Sequence, residues 1–162
     1  MTNKASGIAW KDVKDEASDI LGRYVRIKTV NPPGDEEEAA RFLASVLKKD
    51  GIGSSIYLSG PKRASILARM KGADPRGLIF LSHIDTVGAE ASTWDFDPFS
   101  GERSNGYILG RGTLDDKGMG VMGLMALLVA KRTGLHLKRD VVFLATADEE
   151  TGGEYGAGYM AR

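Results

Sequence analysis

Two short apolar runs, each followed within a few residues by acidic or histidine side chains, limit most strongly how this chain can fold. Residues 78–81 precede His83 and Asp85, and residues 141–144 precede an acidic group that begins at Asp148. A predicted helix lies between the two runs, and a strand, a helix and a strand in succession indicate a largely parallel sheet. Ligands of such sheets bind at the carboxyl ends of the strands. The sequence therefore predicts chemistry at the ends of these two strands.

A third acidic group lies between the two runs. Asp115 and Asp116 are flanked by glycines, and Glu149 and Glu150 follow the second run. A two-metal hydrolytic site needs a carboxylate shared by both cations, terminal histidine or carboxylate ligands, and a separate base. Each group alone is also typical of an ordinary surface pair, charged turn or solvated helix start. The three groups together favour half of a two-metal hydrolase site.

Composition limits the class of protein. The chain has 162 residues, of which 42% are hydrophobic, and this favours a single domain over residues 1–162. Its 22 basic and 22 acidic residues cancel, so nucleic acid and anionic membranes are not expected as partners. Cysteine is absent, which excludes thiolate metal sites and leaves histidine, aspartate and glutamate as ligands.

The hydropathy pattern predicts neither a secretion signal nor a membrane span. Residues 1–20 carry many charged side chains and no apolar stretch of the kind that a signal needs. The longest apolar run, residues 119–130, has about twelve residues and is typical of a buried core helix. We therefore expect a cytoplasmic protein.

The periodicity of apolar residues predicts alternating helices and strands. Helices are expected at residues 11–27, 35–49 and 118–131, with Asp35 as the cap of the second and Gly51 just beyond its end. Strands are expected at residues 52–58, 64–70, 77–82 and 141–147, and a loop with an edge hairpin at residues 94–109. The expected fold class is α/β, a largely parallel mixed sheet with helices on both faces.

These motifs, in this order and spacing, resemble the dinuclear zinc aminoacylases and peptidases, a family that includes acetylornithine deacetylase, succinyl-diaminopimelate desuccinylase, aminoacylase and glutamate carboxypeptidase. The resemblance spans nearly the whole chain and implies the amino-terminal part of a zinc-peptidase catalytic domain. It rests on Ser82-His83-Ile84-Asp85-Thr86-Val87, Trp94 with Asp97-Pro98-Phe99, Gly110-Arg111-Gly112 with Asp115 and Lys117-Gly118, and Asp148-Glu149-Glu150 before Gly152-Gly153.

The resemblance implies a role for each candidate residue. His83 binds one metal ion, Asp115 bridges both, and Glu150 binds the other. Glu149 is the general base, and Asp85 orients His83. The implied cofactors are two divalent ions, zinc first, with cobalt or manganese as alternatives. The implied enzyme is a metallopeptidase or amidohydrolase that uses a metal-activated water to cleave C–N bonds in small N-acyl amino acids or peptides, including dipeptidase and carboxypeptidase reactions.

The chain departs from the family pattern because it ends at Arg162. Family members add a further carboxylate ligand after the Glu-Glu pair, a histidine ligand near their carboxyl end, and a lid domain. We expect His136 at the surface and not in the place of that histidine. The resemblance also implies a cis peptide between Asp115 and Asp116. The expectation is a truncated product, fragment or split gene that is inactive or barely active alone, with the carboxyl-terminal half or a second copy as its partner.

Two interpretations from other classes compete with the hydrolase. Residues 118–123 match the dinucleotide fingerprint, but Asp115 and Asp116 precede these glycines in place of an apolar strand and would repel a pyrophosphate. Close helix packing is the simpler explanation of the glycines. The other competitor is a non-catalytic module that binds metal or a partner through open sheet surface. Under the hydrolase hypothesis, Trp94, Asn105 and Arg111 are expected to border the pocket.

Overall fold

The computed structural model describes residues 7–162. Residues 1–6, which belong to the segment where no secretion signal is predicted, lie outside the described residues. Helices and strands alternate along the chain. They are α1 (Trp10–Arg26), α2 (Glu37–Lys49), β1 (Ser54–Gly60), β2 (Arg63–Met70), β3 (Leu78–His83), β4 (Glu102–Ser104), β5 (Tyr107–Leu109), α3 (Lys117–Arg132), β6 (Val141–Thr146) and α4 (Ala157–Met160). Short 3₁₀ turns lie at Ala91–Thr93 and Glu149–Thr151.

Four strands form the central sheet, in the order β1-β2-β6-β3. β3 and β6 are parallel, with Leu78 opposite Val141 and His83 opposite Thr146. β1 pairs with β2, and β2 with β6, in antiparallel fashion. The predicted α/β class and mixed sheet are confirmed, but the expectation of a largely parallel sheet is wrong, because two of the three strand pairs are antiparallel. The short turn between Gly60 and Arg63 explains why β1 and β2 are antiparallel, since so short a connection joins only antiparallel strands.

Helix α3 packs closely on the parallel pair because its surface there is made of glycine. A Cβ atom on Gly123 would lie 2.9 Å from Cβ of Phe80, and one on Gly120 would lie 3.0 Å from Oγ of Ser82. These distances are shorter than ordinary van der Waals contact. Gly120 and Gly123, two of the three glycines that match the dinucleotide fingerprint, therefore serve helix-to-strand packing, while Gly118 lies against the backbone of Thr113.

One hydrophobic core lies between the sheet and the three long helices. It joins buried side chains from all of these elements, among them Ile20, Leu43, Ile66, Leu124 and Phe143. Side chains alternate along a strand, so Leu67 points to the face opposite Ile66. On that opposite face Tyr159 and Met160 of α4 border a hollow with Leu67. Among the described residues, the three long helices thus lie on one face and only the four-residue α4 lies on the other, so the predicted cover by helices on both faces is present only in part.

Two local predictions need correction. Asp35 does not cap α2, because the cap position is Glu36, without a side-chain cap, while the Asp35 carboxylate accepts a hydrogen bond from Lys62 at 2.7 Å. The predicted hairpin exists as β4 and β5, but these form a separate two-stranded sheet and do not extend the edge of the main one. Within residues 7–162, no helix is long and apolar enough to span a membrane.

Candidate metal centre

The ends of β3 and β6 bring the predicted site residues together. His83 is the last residue of β3, and the turn with Glu149 and Glu150 follows shortly after the end of β6. Because the two strands are parallel neighbours, both groups lie at the same edge of the sheet. One ligand atom from each of His83, Glu149 and Glu150 lies within 4.8 Å of the others.

Asp115 joins this group from the loop before α3. Its Oδ1 lies 2.9 Å from Nε2 of His83, and its side chain is 81% exposed. The Asp115–Asp116 peptide is cis, as the resemblance implied. The Asp116 carboxylate contacts the backbone of His83 and not its ring, because Oδ2 accepts a hydrogen bond from the N–H of His83 at 3.3 Å. Burial raises the pKa of Asp116.

Asp85 contacts the other side of the His83 ring. Nδ1 of His83 lies 3.0 Å from the backbone carbonyl oxygen of Asp85 and 3.5 Å from its carboxylate Oδ1. The carbonyl is therefore the nearer partner, and it favours the tautomer with a proton on Nδ1. Burial alone would lower the pKa of His83, but hydrogen bonding to Asp85 and Asp115 outweighs burial and raises it to about 9.

The carboxylate of Asp85 mainly holds the acidic turn. It accepts hydrogen bonds from the backbone N–H groups of Glu149 and Glu150, each at 3.1 Å, and from Nδ2 of Asn31 at 2.8 Å. Burial would raise the pKa of Asp85, but its hydrogen bonds, including that from His83, outweigh burial and lower it. Glu150 is fixed further, because Oε1 accepts a hydrogen bond from the N–H of Val87 at 3.3 Å.

Three further residues support the site, and the sequence did not single them out as site residues. Asp148, in the left-handed region at φ 66°, accepts hydrogen bonds from Arg63, Asn31 and the backbone of Tyr155. The acidic character of Asp148 within the cluster was the one available signal, because Asn31 and Arg63 lie far from the motifs along the chain.

The donor set fits a divalent cation. One imidazole nitrogen and several carboxylate oxygens converge, and these are the ligands that zinc, cobalt and manganese accept in proteins. His83 is buried, whereas Glu149 is exposed. The group thus combines a buried histidine with carboxylates that are open to solvent, from which a cation and a small molecule can reach them.

A cleft of about 280 Å³ adjoins Asp115. Trp94, Phe96 and Arg111 line it, and the Arg111 guanidinium lies 5.0 Å from the centre of the Trp94 ring. Asn105 is not among the lining residues and lies in the turn between β4 and β5 with φ of 52°. His136 is exposed, as expected, and lies outside the ligand group.

The sequence profile of Peptidase family M20/M25/M40 matches residues 79–162. Aminoacylase-1 of Sus scrofa is 32% identical over 140 residues, which is 85% of this chain and 34% of that protein. The N-fatty-acyl-amino acid synthase/hydrolase of Xenopus tropicalis is 40% identical over 158 residues, 93% of this chain and 31% of that protein. The chain thus spans about a third of the length of these curated relatives.

Solved structures share the fold. The dipeptidase Dug1p of Saccharomyces cerevisiae superposes with a TM-score of 0.72 at 23% identity, over 90% of this chain and 34% of that one. The YXEP protein of Bacillus subtilis, described as a dinuclear metal binding peptidase from the M20 family, superposes with a TM-score of 0.64 at 18% identity, over 93% of this chain and 39% of that one.

Proposed function

Because the chain belongs to Peptidase family M20/M25/M40, we propose that it forms the metal-binding amino-terminal part of a hydrolase that cleaves amide bonds. One observation carries the proposal. The ligand atoms of His83, Glu149 and Glu150 lie within 4.8 Å of one another. They lie at the sheet edge where the parallel strands β3 and β6 end. Aminoacylase-1 and the N-fatty-acyl-amino acid hydrolase are named for N-acyl amino acids, and we propose this substrate class, with small peptides as the alternative.

The site is proposed to hold two divalent ions, zinc before cobalt or manganese. His83 would bind one, Glu150 the other, and Asp115 both; the dinuclear description of the Bacillus subtilis relative supports this count. When bound, such ions polarise a carbonyl oxygen and lower the pKa of water.

Glu149 is the proposed general base. Its Oε2 lies 3.9 Å from Nε2 of His83, and its side chain is 60% exposed, so a water molecule can reach it. Glu149 takes a proton from water as the water oxygen attacks the amide carbon, and it delivers this proton to the amine nitrogen when the C–N bond breaks.

Asp85 is the proposed orienting residue. Through its carbonyl oxygen it fixes the ring of His83, and through its carboxylate it fixes the backbone of Glu149 and Glu150. The same residue therefore sets the relative position of a ligand from β3 and of the acidic turn after β6.

Each ion would have two protein ligands within the chain, the shared Asp115 plus either His83 or Glu150. Catalytic zinc sites usually have three protein ligands. We therefore expect the isolated chain to bind metal but to hydrolyse amides slowly or not at all. Chelator-sensitive hydrolysis of an N-acyl amino acid by the purified 162-residue chain would contradict this expectation.

Calorimetric titration of the metal-free protein with zinc tests the proposal. We expect binding in the wild type that Asp115→Ala abolishes or weakens strongly. Asp12→Ala, which removes an exposed carboxylate in the first turn of α1, is the matched control and should bind as the wild type does. Zinc binding that Asp115→Ala and Asp12→Ala leave equally unchanged would refute the proposed centre.

A further inference from the structure

The side chain of Arg63, at the start of β2, is 9% exposed and contacts Asp148, the residue that precedes Glu149. Nη2 donates a hydrogen bond to Oδ1 of Asp148 at 2.7 Å, and Nη1 donates to Oδ1 of Asn31 at 3.1 Å and to the carbonyl oxygen of Pro33 at 2.7 Å. Nε lies 3.1 Å from Oε2 of Glu36. Burying a cation is unfavourable unless its partners are well placed. Here Nη1 and Nη2 make three hydrogen bonds, whereas Nε makes none of good geometry.

We propose that Arg63 is a positioning residue that fixes the turn presenting Glu149 and Glu150. The inference rests on the proposed function, because it concerns the residues assigned there to metal binding and proton transfer. Arg63 itself belongs neither to the ligand group nor to the lining of the cleft beside Asp115.

Arg63 sets the orientation of the Asn31 amide. A guanidinium group only donates hydrogen bonds, so the atom of Asn31 that faces it must be the acceptor Oδ1. Nδ2 must then point the opposite way, where it donates to Oδ2 of Asp85 at 2.8 Å and to Oδ1 of Asp148 at 3.1 Å. Asn31 thus links two buried carboxylates in the one orientation that Arg63 permits.

Those two carboxylates hold the acidic turn from both ends. Asp85 accepts the backbone N–H groups of Glu149 and Glu150, and Oδ2 of Asp148 accepts the N–H of Tyr155 at 3.0 Å. The Tyr155 ring also lies over the guanidinium of Arg63, 5.4 Å from it. The charge of Arg63 offsets the repulsion between the two carboxylates, which is strong where water is excluded.

The same strand offers a matched control. Arg69 of β2 also pairs with a carboxylate, donating from Nε to Oδ2 of Asp140 at 2.5 Å, but this pair lies at the other end of the strand. Arg69→Met therefore removes an arginine–aspartate pair from β2 without touching the turn. Loss of stability alone should affect both variants, whereas a change at the turn should be confined to Arg63.

The experiment compares wild type, Arg63→Met, Arg63→Lys and Arg69→Met in the full chain. Amide hydrogen exchange is measured at Glu149, Glu150 and Tyr155 in metal-free protein, and the dissociation constant and visible spectrum are measured with cobalt. For Arg63→Met we expect about tenfold faster exchange at these amides, a cobalt dissociation constant raised about 10–100-fold and an altered spectrum. Arg63→Lys keeps the charge but not the fork of donors, so its effect should be intermediate.

Arg69→Met should match the wild type in exchange at the turn and in cobalt binding. If Arg63→Met does not fold, Arg63→Lys carries the comparison. Exchange rates in the Arg63 variants that equal those of Arg69→Met would overturn the positioning role. A wild type that binds no cobalt would instead overturn the proposed function, while the exchange rates in metal-free protein would still decide the role of Arg63.

Discussion

The ammonium group of Lys117 donates a hydrogen bond to the carbonyl oxygen of Ile27 at 2.7 Å. Lys117 begins α3 and follows the Asp115–Asp116 peptide, and a second hydrogen bond from it reaches the carbonyl oxygen of Tyr24 at 3.1 Å. Its Nζ also lies 4.8 Å from the centre of the Tyr24 ring. These contacts bind the loop that carries Asp115 to the end of α1, where backbone carbonyls lack partners within the helix.

Replacing this lysine should destabilise the fold. Lys117→Met keeps the apolar stem but leaves the carbonyl of Ile27 without this donor and that of Tyr24 with only the N–H of Ile27, which should lower the free energy of unfolding by about 2 kcal/mol. Urea denaturation measures the change. Lys131→Met, an exposed lysine near the end of the same helix, should differ from wild type by less than about 0.5 kcal/mol. Equal stability of the two variants would contradict the interpretation of the Lys117 contacts.

Glu36 should make stability depend on pH. Its carboxylate is buried, and neither oxygen has a hydrogen-bond partner of good geometry among the described residues, although Arg63 lies close to it. Burial raises the pKa of Glu36 from 4.5 to about 7. Between these values the folded state binds more protons than the unfolded state. The contribution of Glu36 to stability is therefore present at low pH and falls as the pH rises to about 7.

Glu36→Gln removes this titration while keeping the shape of the side chain. Relative to wild type, the variant should gain stability as the pH rises from 4.5 to 7, by at most about 3 kcal/mol. Urea denaturation at pH 5 and pH 8 measures the difference. Glu38→Gln, in the first turn of α2 and with an exposed side chain, is the control. A constant difference between Glu36→Gln and wild type at both pH values would be evidence against the raised pKa.

Gly123 should tolerate no side chain. Gly123→Ala would place Cβ 2.9 Å from Cβ of Phe80, so α3 must move away from β3, and the free energy of unfolding should fall by about 1–3 kcal/mol although alanine favours helices. Thermal and urea denaturation measure this. Gly53→Ala is the control, because nothing lies within 4 Å of the added methyl group. A Gly123→Ala variant as stable as wild type would remove the packing explanation of the glycine pattern.

Local patterns were enough to predict most elements and to place His83 and the acidic turn at the ends of neighbouring strands. The helix around Ile20 and the strand before His83 follow from short-range periodicity and apolar runs, and both occur with boundaries close to those expected. The resemblance implied the contact of Asp85 with His83, although the nearer partner of Nδ1 is the backbone carbonyl of Asp85. These features depend on residues that are close along the chain, which is why the sequence alone was enough to predict them.

Other features depend on partners that are distant along the chain. Asn31 and Asp148 are 117 residues apart, and Arg63 and Asp148 are 85 apart, so no local spacing indicates their hydrogen bonds. Asp35 had the residue type of a helix cap, but Lys62 competes for its carboxylate. The antiparallel pairing of β2 with β6 likewise brings Ile66 opposite Ala145, a choice that propensities of single segments do not determine.

The parallel pairing of β3 with β6 has a consequence for how such a site can diversify. Hydrogen-bonded neighbouring strands lie about 4.8 Å apart whatever their side chains are. His83 and the acidic turn follow the ends of two such strands, so their separation depends on this backbone spacing and on the hydrogen bonds that join Asp85 to the turn. The cleft with Trp94 and Arg111 lies instead on loops outside that ladder. Under the proposed function, substitutions in the cleft can therefore change which substrates are accepted while the distance between the donor groups stays the same.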